Sequence, residues 1–270
     1  MKDGQRFSRV FVTGAANGIG RRLAELALED GADVAGFDLT NEGLSELSGA
    51  ADRLGRRVHV EAVDVRQADA VSAAVNRAAE AIGPPDLAIN CAGIQLAKPF
   101  EELSGEEFGR VIEVNLVGSR NFAAASLPHL GPGDRLALVA SLAGLVPNYS
   151  YAAYTASKYA VVGLAEVLRL EYAPRGIGVS VVCPPEVETN LVYEERKTQH
   201  PASAALKRTA GTLDVHSACQ EIFAGLRAGG FMVIPSRRAR AVAWMGKYVP
   251  RGLAHAGTDL AVRRALRRSG

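Results

Sequence analysis

Short apolar runs rich in β-branched residues alternate along this chain with longer stretches in which apolar residues recur every three or four positions. Val10-Phe11-Val12 stops at Thr13-Gly14, and helical periodicity then starts at Ile19 and continues through Leu23, Leu26 and Ala27. That order predicts a strand, a glycine turn and a helix. The alternation goes on as strand 32–37, helix 42–54, strand 58–63, helix 68–82, strand 87–90 and a long helix 106–127. Strand 135–140, helix 154–172, strand 178–183, helix 215–226 and strand 231–234 complete it. Strands that are apolar almost throughout, each followed by a helix, specify a parallel sheet covered on both faces. Crossovers in such a sheet are right-handed, and ligands sit at the carboxyl ends of its strands. The expectation is one α/β domain with a doubly wound parallel sheet of about seven strands. No linker or repeat interrupts residues 1–235.

Composition narrows the function classes. A chain of 270 residues can build one large α/β core. A net charge of +2 gives no reason to expect nucleic acid as a partner. Cys91, Cys183 and Cys219 form neither a CxxC pair nor a metal spacing, which suits reduced thiols in the cytoplasm. His59, His129, His200, His216 and His255 are scattered, so no metal site is expected. The first residues carry no apolar leader-like run, and no stretch approaches the roughly 20 apolar residues of a membrane span. A cytoplasmic enzyme or binding protein fits these bounds.

Three stretches carry chemistry. Thr13-Gly14-Ala15-Ala16-Asn17-Gly18-Ile19-Gly20 follows a predicted strand and opens a helix. Glycines there allow a tight turn and let the backbone approach a pyrophosphate resting on the helix N-terminus. Asp38 ends the second strand, where a carboxylate accepts from adenosine ribose hydroxyls and repels a 2′-phosphate. Leu39 and Asn17 are neutral, so the pattern favours NAD over NADP. Tyr154 and Lys158 stand four apart on a predicted helix and therefore share a face. An ammonium beside a phenol stabilises the phenolate, which suits a general acid/base for an alcohol or ketone.

With Ser141, thirteen positions before Tyr154, these motifs resemble the classical short-chain dehydrogenase/reductase family over about residues 10–234. The resemblance implies a single-domain Rossmann-like fold and hydride transfer on a CH–OH group. It implies that Gly14, Asn17, Gly18, Ile19 and Gly20 bind the dinucleotide, and that Asp64 and the backbone of Val65 touch the adenine. It also assigns Asn90, Ala92 and Gly93 to a cofactor turn, and Pro184, Val187 and Thr189 to the nicotinamide loop. Asn115, Ser141, Tyr154 and Lys158 become the catalytic set. Ser141 would polarise the substrate oxygen and Tyr154 would pass the proton. Lys158 would hold the nicotinamide ribose and lower the Tyr154 pKa, and Asn115 would interrupt its helix and hold a relay water. One departure is Pro184-Pro185 where the family usually has Pro-Gly, which stiffens that loop.

The family places Gln95, Leu142, Tyr149, Tyr151, Leu191 and Tyr193 around the substrate. That lining is mostly apolar, so a steroid-, lipid- or aromatic-like secondary alcohol or ketone is expected. Residues 194–200 read as a polar, mobile cover. Two other readings are a 3-oxoacyl-type ketoreductase and a non-catalytic NAD(H)-binding sensor. The expected assembly is a homodimer or homotetramer through helices 106–127 and 154–172.

Residues 236–270 form a basic extension of the same domain. Arg237, Arg238, Arg240, Lys247, Arg251, Arg263, Arg264, Arg267 and Arg268 face a single acid, Asp259, and apolar residues are interleaved among them. The pattern predicts two basic amphipathic helices. Such helices suit a peripheral membrane contact, a subunit contact or a cover over the substrate cleft.

Overall fold

The computed structural model describes residues 5–197 and 199–269, without the side chains of Leu191, Arg251, Arg268 and Ser269. The predicted lining side chain of Leu191 therefore lies outside the described residues. Seven strands form one sheet: β1 (Arg9–Thr13), β2 (Asp33–Asp38), β3 (Val58–Ala62), β4 (Leu87–Asn90), β5 (Arg135–Val139), β6 (Gly178–Val182) and, numbered β9 in chain order, Met232–Val233. Their spatial order is β3-β2-β1-β4-β5-β6-β9, and every pairing is parallel. The strand order reverses between β1 and β4, where Thr13 and Asn90 are register partners. A crevice at the carboxyl ends of the strands opens at such a point.

The period of two along each strand sends side chains to two separate cores. Val10 and Val12 join Leu23, Leu28, Leu44, Leu47, Ile222 and Leu226 on one face. These come from α1 (Gly18–Glu29), α2 (Leu44–Leu54) and α9 (Val215–Arg227). Phe11 points the other way, to Phe37, Val71, Val75, Phe122, Val161 and Ala165. Those come from β2, α3 (Ala68–Ile82), α5 (Gly118–Ser126) and α6 (Ala152–Tyr172). Each fully buried leucine or phenylalanine contributes on the order of 2 kcal/mol through apolar burial.

The predicted long helix is divided. α4 (Gly105–Ile112) opens on a capping box, in which Ser104 accepts from the Glu107 amide and the Glu107 carboxylate accepts from the Ser104 amide. It then runs into a π-helical turn, Glu113–Val117, before α5 resumes. Two small helices and a two-stranded pair were not foreseen. β7 (Glu186–Val187) pairs with β8 (Thr212–Leu213), and between them lie α7 (Asn190–Arg196) and α8 (Pro201–Ala210). The reading of residues 194–200 as a polar cover is corrected: Glu194, Glu195 and Arg196 belong to α7, and Glu195 is turned inward. α10 (Arg237–Tyr248) and α11 (Arg251–Ser269) both pack on α8. α10 is amphipathic as predicted, whereas α11 distributes apolar and polar residues almost evenly around its axis. Among the described residues no helix is long and apolar enough to cross a membrane.

Candidate active site

The glycine turn after β1 is built for close approach. Gly14 has φ +67°, and a Cβ on Gly20 would fall 2.1 Å from the Gly14 carbonyl oxygen, so neither position accepts a side chain. α1 starts at Gly18 with no side-chain cap from Asn17 and no acid in its first turn. Its first amides, including that of Ile19, are thus left to a ligand anion. A Cβ on Gly18 would lie 3.3 Å from Thr189 Cγ2, which brings two predicted cofactor residues from distant loops together. This cradle fits a dinucleotide.

Asp38 ends β2 beside that turn. Its carboxylate accepts from the amides of Ala16 (2.9 Å) and Leu39 (2.8 Å). Arg21, the cation next to the loop after β2, is engaged with the Gly43 carbonyl, Glu25 and Glu46. Asp64 accepts two hydrogen bonds from Arg66 Nε and one from the Arg66 amide, and this pairing holds its carboxyl below the usual range. Val65 is buried, and its carbonyl accepts from Asn121 Nδ2 at 2.9 Å.

A chain of short neutral side chains links the two sides of the crevice. Thr13 Oγ1 donates to Asn90 Oδ1 (2.7 Å) and accepts from the amides of Cys91 and Ala92 (3.1 Å each). Asn90 Nδ2 donates to Ser119 Oγ (2.9 Å), which donates to the Asn115 carbonyl (2.5 Å). That carbonyl is available to a side chain because Asn115 sits in the π turn, where the helical ladder is locally opened. The Asn115 side chain then pairs with both backbone groups of Ile94 (2.8 and 2.9 Å) and donates to Ser157 Oγ (3.0 Å). Gly93 threads past this point, since a Cβ there would meet Asn115 Oδ1 at 3.1 Å and Lys158 Nζ at 3.4 Å.

Ser141, Tyr154 and Lys158 converge beside it. Ser141 caps the turn after β5, with Oγ accepting from the Ala143 amide (3.1 Å), and its hydroxyl lies near enough to the Tyr154 phenol to favour the phenolate. Lys158 is buried and donates to the Val139 carbonyl at 3.0 Å, with Nζ 5.6 Å from the Tyr154 ring centre. Burial sets the titration of both. It pushes the Tyr154 phenol up to about 12, against a lowering by Ser141, and brings the Lys158 ammonium down to about 8. The expected lowering of the phenol by Lys158 is not what governs this geometry: desolvation dominates, and the opposing group is Ser141.

The loop expected to meet the nicotinamide is held to the same edge. The Pro184 carbonyl accepts from the Leu142 amide (2.8 Å), and Val187 is buried in β7. Leu142 is buried, Tyr149 packs on His200 with ring centres 4.5 Å apart, and Tyr193 is half exposed. Tyr151 is buried and meets the Tyr154 ring edge-on at 5.8 Å.

The mostly apolar lining is corrected at one end. Tyr151 donates its hydroxyl hydrogen to Glu195, which also accepts from Gln95 Nε2 (2.5 Å) and Lys207 Nζ (2.6 Å). Lys207 in turn reaches Glu186 at 2.9 Å, and Arg196 also pairs with Glu186. Glu195 was missed because residues 194–200 read as solvated. The available signal was helical spacing, since Glu195 falls three residues after the buried Val192. Ser119 and Ser157 were also missed, although they stand four after Asn115 and three after Tyr154.

Comparison with known proteins agrees with this geometry. The family model for short chain dehydrogenases matches residues 8–200. A 3-dehydrosphinganine reductase of Arabidopsis thaliana is 34% identical over 235 residues, covering 84% of this chain and 70% of the relative. A 3beta-hydroxysteroid dehydrogenase of Eggerthella lenta is 35% identical over 205 residues, covering 74% and 78%. Among solved structures, a short chain dehydrogenase/reductase from Burkholderia phymatum in complex with NAD superposes with a TM-score of 0.78 at 25% identity, covering 91% and 94%. A short chain dehydrogenase from Burkholderia cenocepacia in complex with NADP gives 0.77 at 29%, covering 86% and 98%. This chain belongs to the short-chain dehydrogenase/reductase family. It is an oxidoreductase acting on CH–OH groups with a nicotinamide cofactor.

Proposed function

We propose that the protein transfers a hydride between NAD(H) and a bulky, hydrophobic secondary alcohol or its ketone, with Tyr154 as general acid/base. The observation that carries this reading is the convergence of Ser141, Tyr154, Lys158 and Asn115 at the switch point of the sheet, beside the buried Leu142. Gly14, Asn17, Gly18, Ile19 and Gly20 would hold the pyrophosphate, Asp38 the adenosine ribose, and Asp64 with Val65 the adenine. Asn90, Ala92, Gly93, Pro184, Val187 and Thr189 would border the nicotinamide half. The dinucleotide supplies the hydride acceptor or donor. Ser141 polarises the substrate oxygen, Tyr154 takes or gives its proton, and Lys158 places positive charge beside the phenol. Asn115 fixes the Ile94 backbone and Ser157, and so the bearing of Tyr154.

The choice of NAD is supported by Asp38 and by the engagement of Arg21 with two carboxylates. A hydrophobic substrate is supported by Leu142 and Tyr149, and by relatives named for a sphinganine ketone and a steroid alcohol. Gln95, Tyr151 and Glu195 give the cleft one polar end, suited to a hydroxyl or amine near the reacting carbon. A homodimer or homotetramer in the cytoplasm is part of the reading. Tyr159, Val167 and Leu170 stay exposed on α6, one of the helices expected at the contact. Retention of all four catalytic positions argues against the sensor alternative.

The test is NADH formation from a panel of secondary alcohols, steroids and long-chain hydroxy lipids, repeated with NADP. Turnover should favour NAD and hydrophobic substrates. Tyr154→Phe should lower it by about a hundredfold or more while NADH binding by fluorescence is kept. Equal turnover of the variant would overturn the role of Tyr154, and preference for NADP would overturn that of Asp38.

A further inference from the structure

Helix α10 has two faces of different chemistry. Ala239, Val242, Ala243 and Gly246 recur at helical spacing and pack on Leu142, Leu145 and Val146, the segment between β5 and α6. Ala239 is completely buried, and a Cβ on Gly246 would meet Val146 Cγ1 at 2.3 Å. The inner face is therefore a fixed roof over part of the substrate segment.

The outer face stays exposed among the described residues. Trp244 is 60% exposed, Met245 47% and Tyr248 60%, and Leu253 at the start of α11 is 69% exposed. The Trp244 and Tyr248 rings lie against each other at 5.6 Å, with the Lys247 ammonium over Tyr248. Arg237 and Arg240 stand exposed one to two turns before Trp244. Single exposed apolar residues are ordinary, but a tryptophan, methionine and tyrosine on one exposed helix face, followed by an exposed leucine in the next helix, form a patch.

Charge separates this face from the rest of the molecule. Residues 236–270 hold nine of the chain's 31 lysines and arginines and one of its 29 acids, which leaves 22 basic against 28 acidic residues elsewhere. An anionic plane is thus attracted to the α10–α11 side and repelled by the remainder, which orients the molecule. Tryptophan and tyrosine prefer the headgroup level of a bilayer, and lysine and arginine beside them attract anionic lipid. We propose that the outer face of α10, continued by Leu253, docks on an anionic lipid surface. The docking places the roof of the proposed substrate cleft against the membrane, but it does not depend on the catalytic reading.

The full chain should be sedimented with vesicles of phosphatidylcholine alone and of phosphatidylcholine with phosphatidylserine, at low and high salt. Binding should be at least tenfold stronger to the anionic vesicles and fall with salt. The pairs Trp244→Ala with Tyr248→Ala, and Arg237→Gln with Lys247→Gln, should each weaken it about tenfold or more, with circular dichroism and turnover of a water-soluble ketone unchanged. Point substitutions are used because removing residues 236–270 would uncover Leu142 and Val146. The proposal is overturned if the native chain ignores anionic vesicles, or if both pairs bind them as it does. It is equally overturned if vesicles are ignored and light scattering shows the variants dissociating an oligomer, which would make a second copy the occupant.

Discussion

The two ends of the candidate site are held together by different chemistry. At the predicted nucleotide end, Thr13, Asn90, Ser119, Asn115 and Ser157 form a run of short, neutral, buried residues, each hydrogen-bonded to the next at 2.5–3.0 Å. At the substrate end, Gln95, Tyr151, Glu195, Lys207, Glu186 and Arg196 are long, and four of them are charged. Neutral groups carry a small desolvation cost, so the first network can sit fully buried on rigid sheet ends. Charges are costly to bury and need opposite partners, so the second network exists only while α7, α8 and β7 stay docked. The contrast teaches that the end proposed for the dinucleotide is held by buried neutral groups, whereas the shape of the end proposed for substrate depends on ion pairs between small elements.

The comparison is broken most severely at Asn115. Replacing Asn115 with Ala removes three hydrogen bonds made by a fully buried side chain, and we expect a loss of about 3 kcal/mol or more in urea unfolding together with a collapse of turnover. If stability is kept within about 1 kcal/mol, the neutral network is not what holds this end.

A second test uses pH on the nucleotide-free protein. Burial lowers Lys158 to about 8 from the ordinary lysine value of 10.5. Between those values the unfolded chain binds more protons, so this group makes stability rise with pH over that window, by up to about 3 kcal/mol. Tyr154 acts in the opposite sense and higher up. Its raised pKa of about 12 means stability is lost as pH climbs above 10. Lys158→Met should abolish the gain between about pH 8 and 10 that the native chain shows in denaturant titrations. An unchanged pH profile would mean that Lys158 is not desolvated.

The smallest effect is expected at the charged end. Glu195→Gln keeps the shape and one acceptor oxygen but turns the other into a donor and removes the charge facing Lys207, and we expect about 1–2 kcal/mol of destabilisation. A larger KM for hydrophobic substrates should accompany it, with NADH affinity unchanged. The double variant with Lys207→Met should show coupling of about 1 kcal/mol, and strict additivity would show that the pair does not act as a unit.

The same contrast explains what could be read from the chain. The seven strands of the parallel sheet, α1, α3, α6 and α9 follow from local periodicity and from glycines whose neighbours are adjacent in sequence. Thr13, Asn90, Ser141, Tyr154 and Lys158 sit at strand ends or one helical turn apart, so their convergence follows once the parallel sheet is assumed. α8 was missed because Pro201–Ala210 is short and alanine-rich, with Leu206 its one bulky apolar residue. β7 and β8 are two residues each and have no period to detect. The partners of Glu195 lie as far as 100 residues away, and ion pairs over that distance leave no local pattern.

The π turn at Glu113–Val117 has a consequence beyond Asn115. A π turn holds one residue more than the α-helix requires, which is a phase slip of about 100° in the bearing of everything upstream. α4 consequently leans on α6 while α5 leans on α3, although the chain passes from one to the other without a loop. A single continuous rod has only one inward bearing, and here the slip supplies a second. The extra residue thus acts as a swivel in the covalent thread, letting one run of helix serve α6 at its start and α3 at its finish.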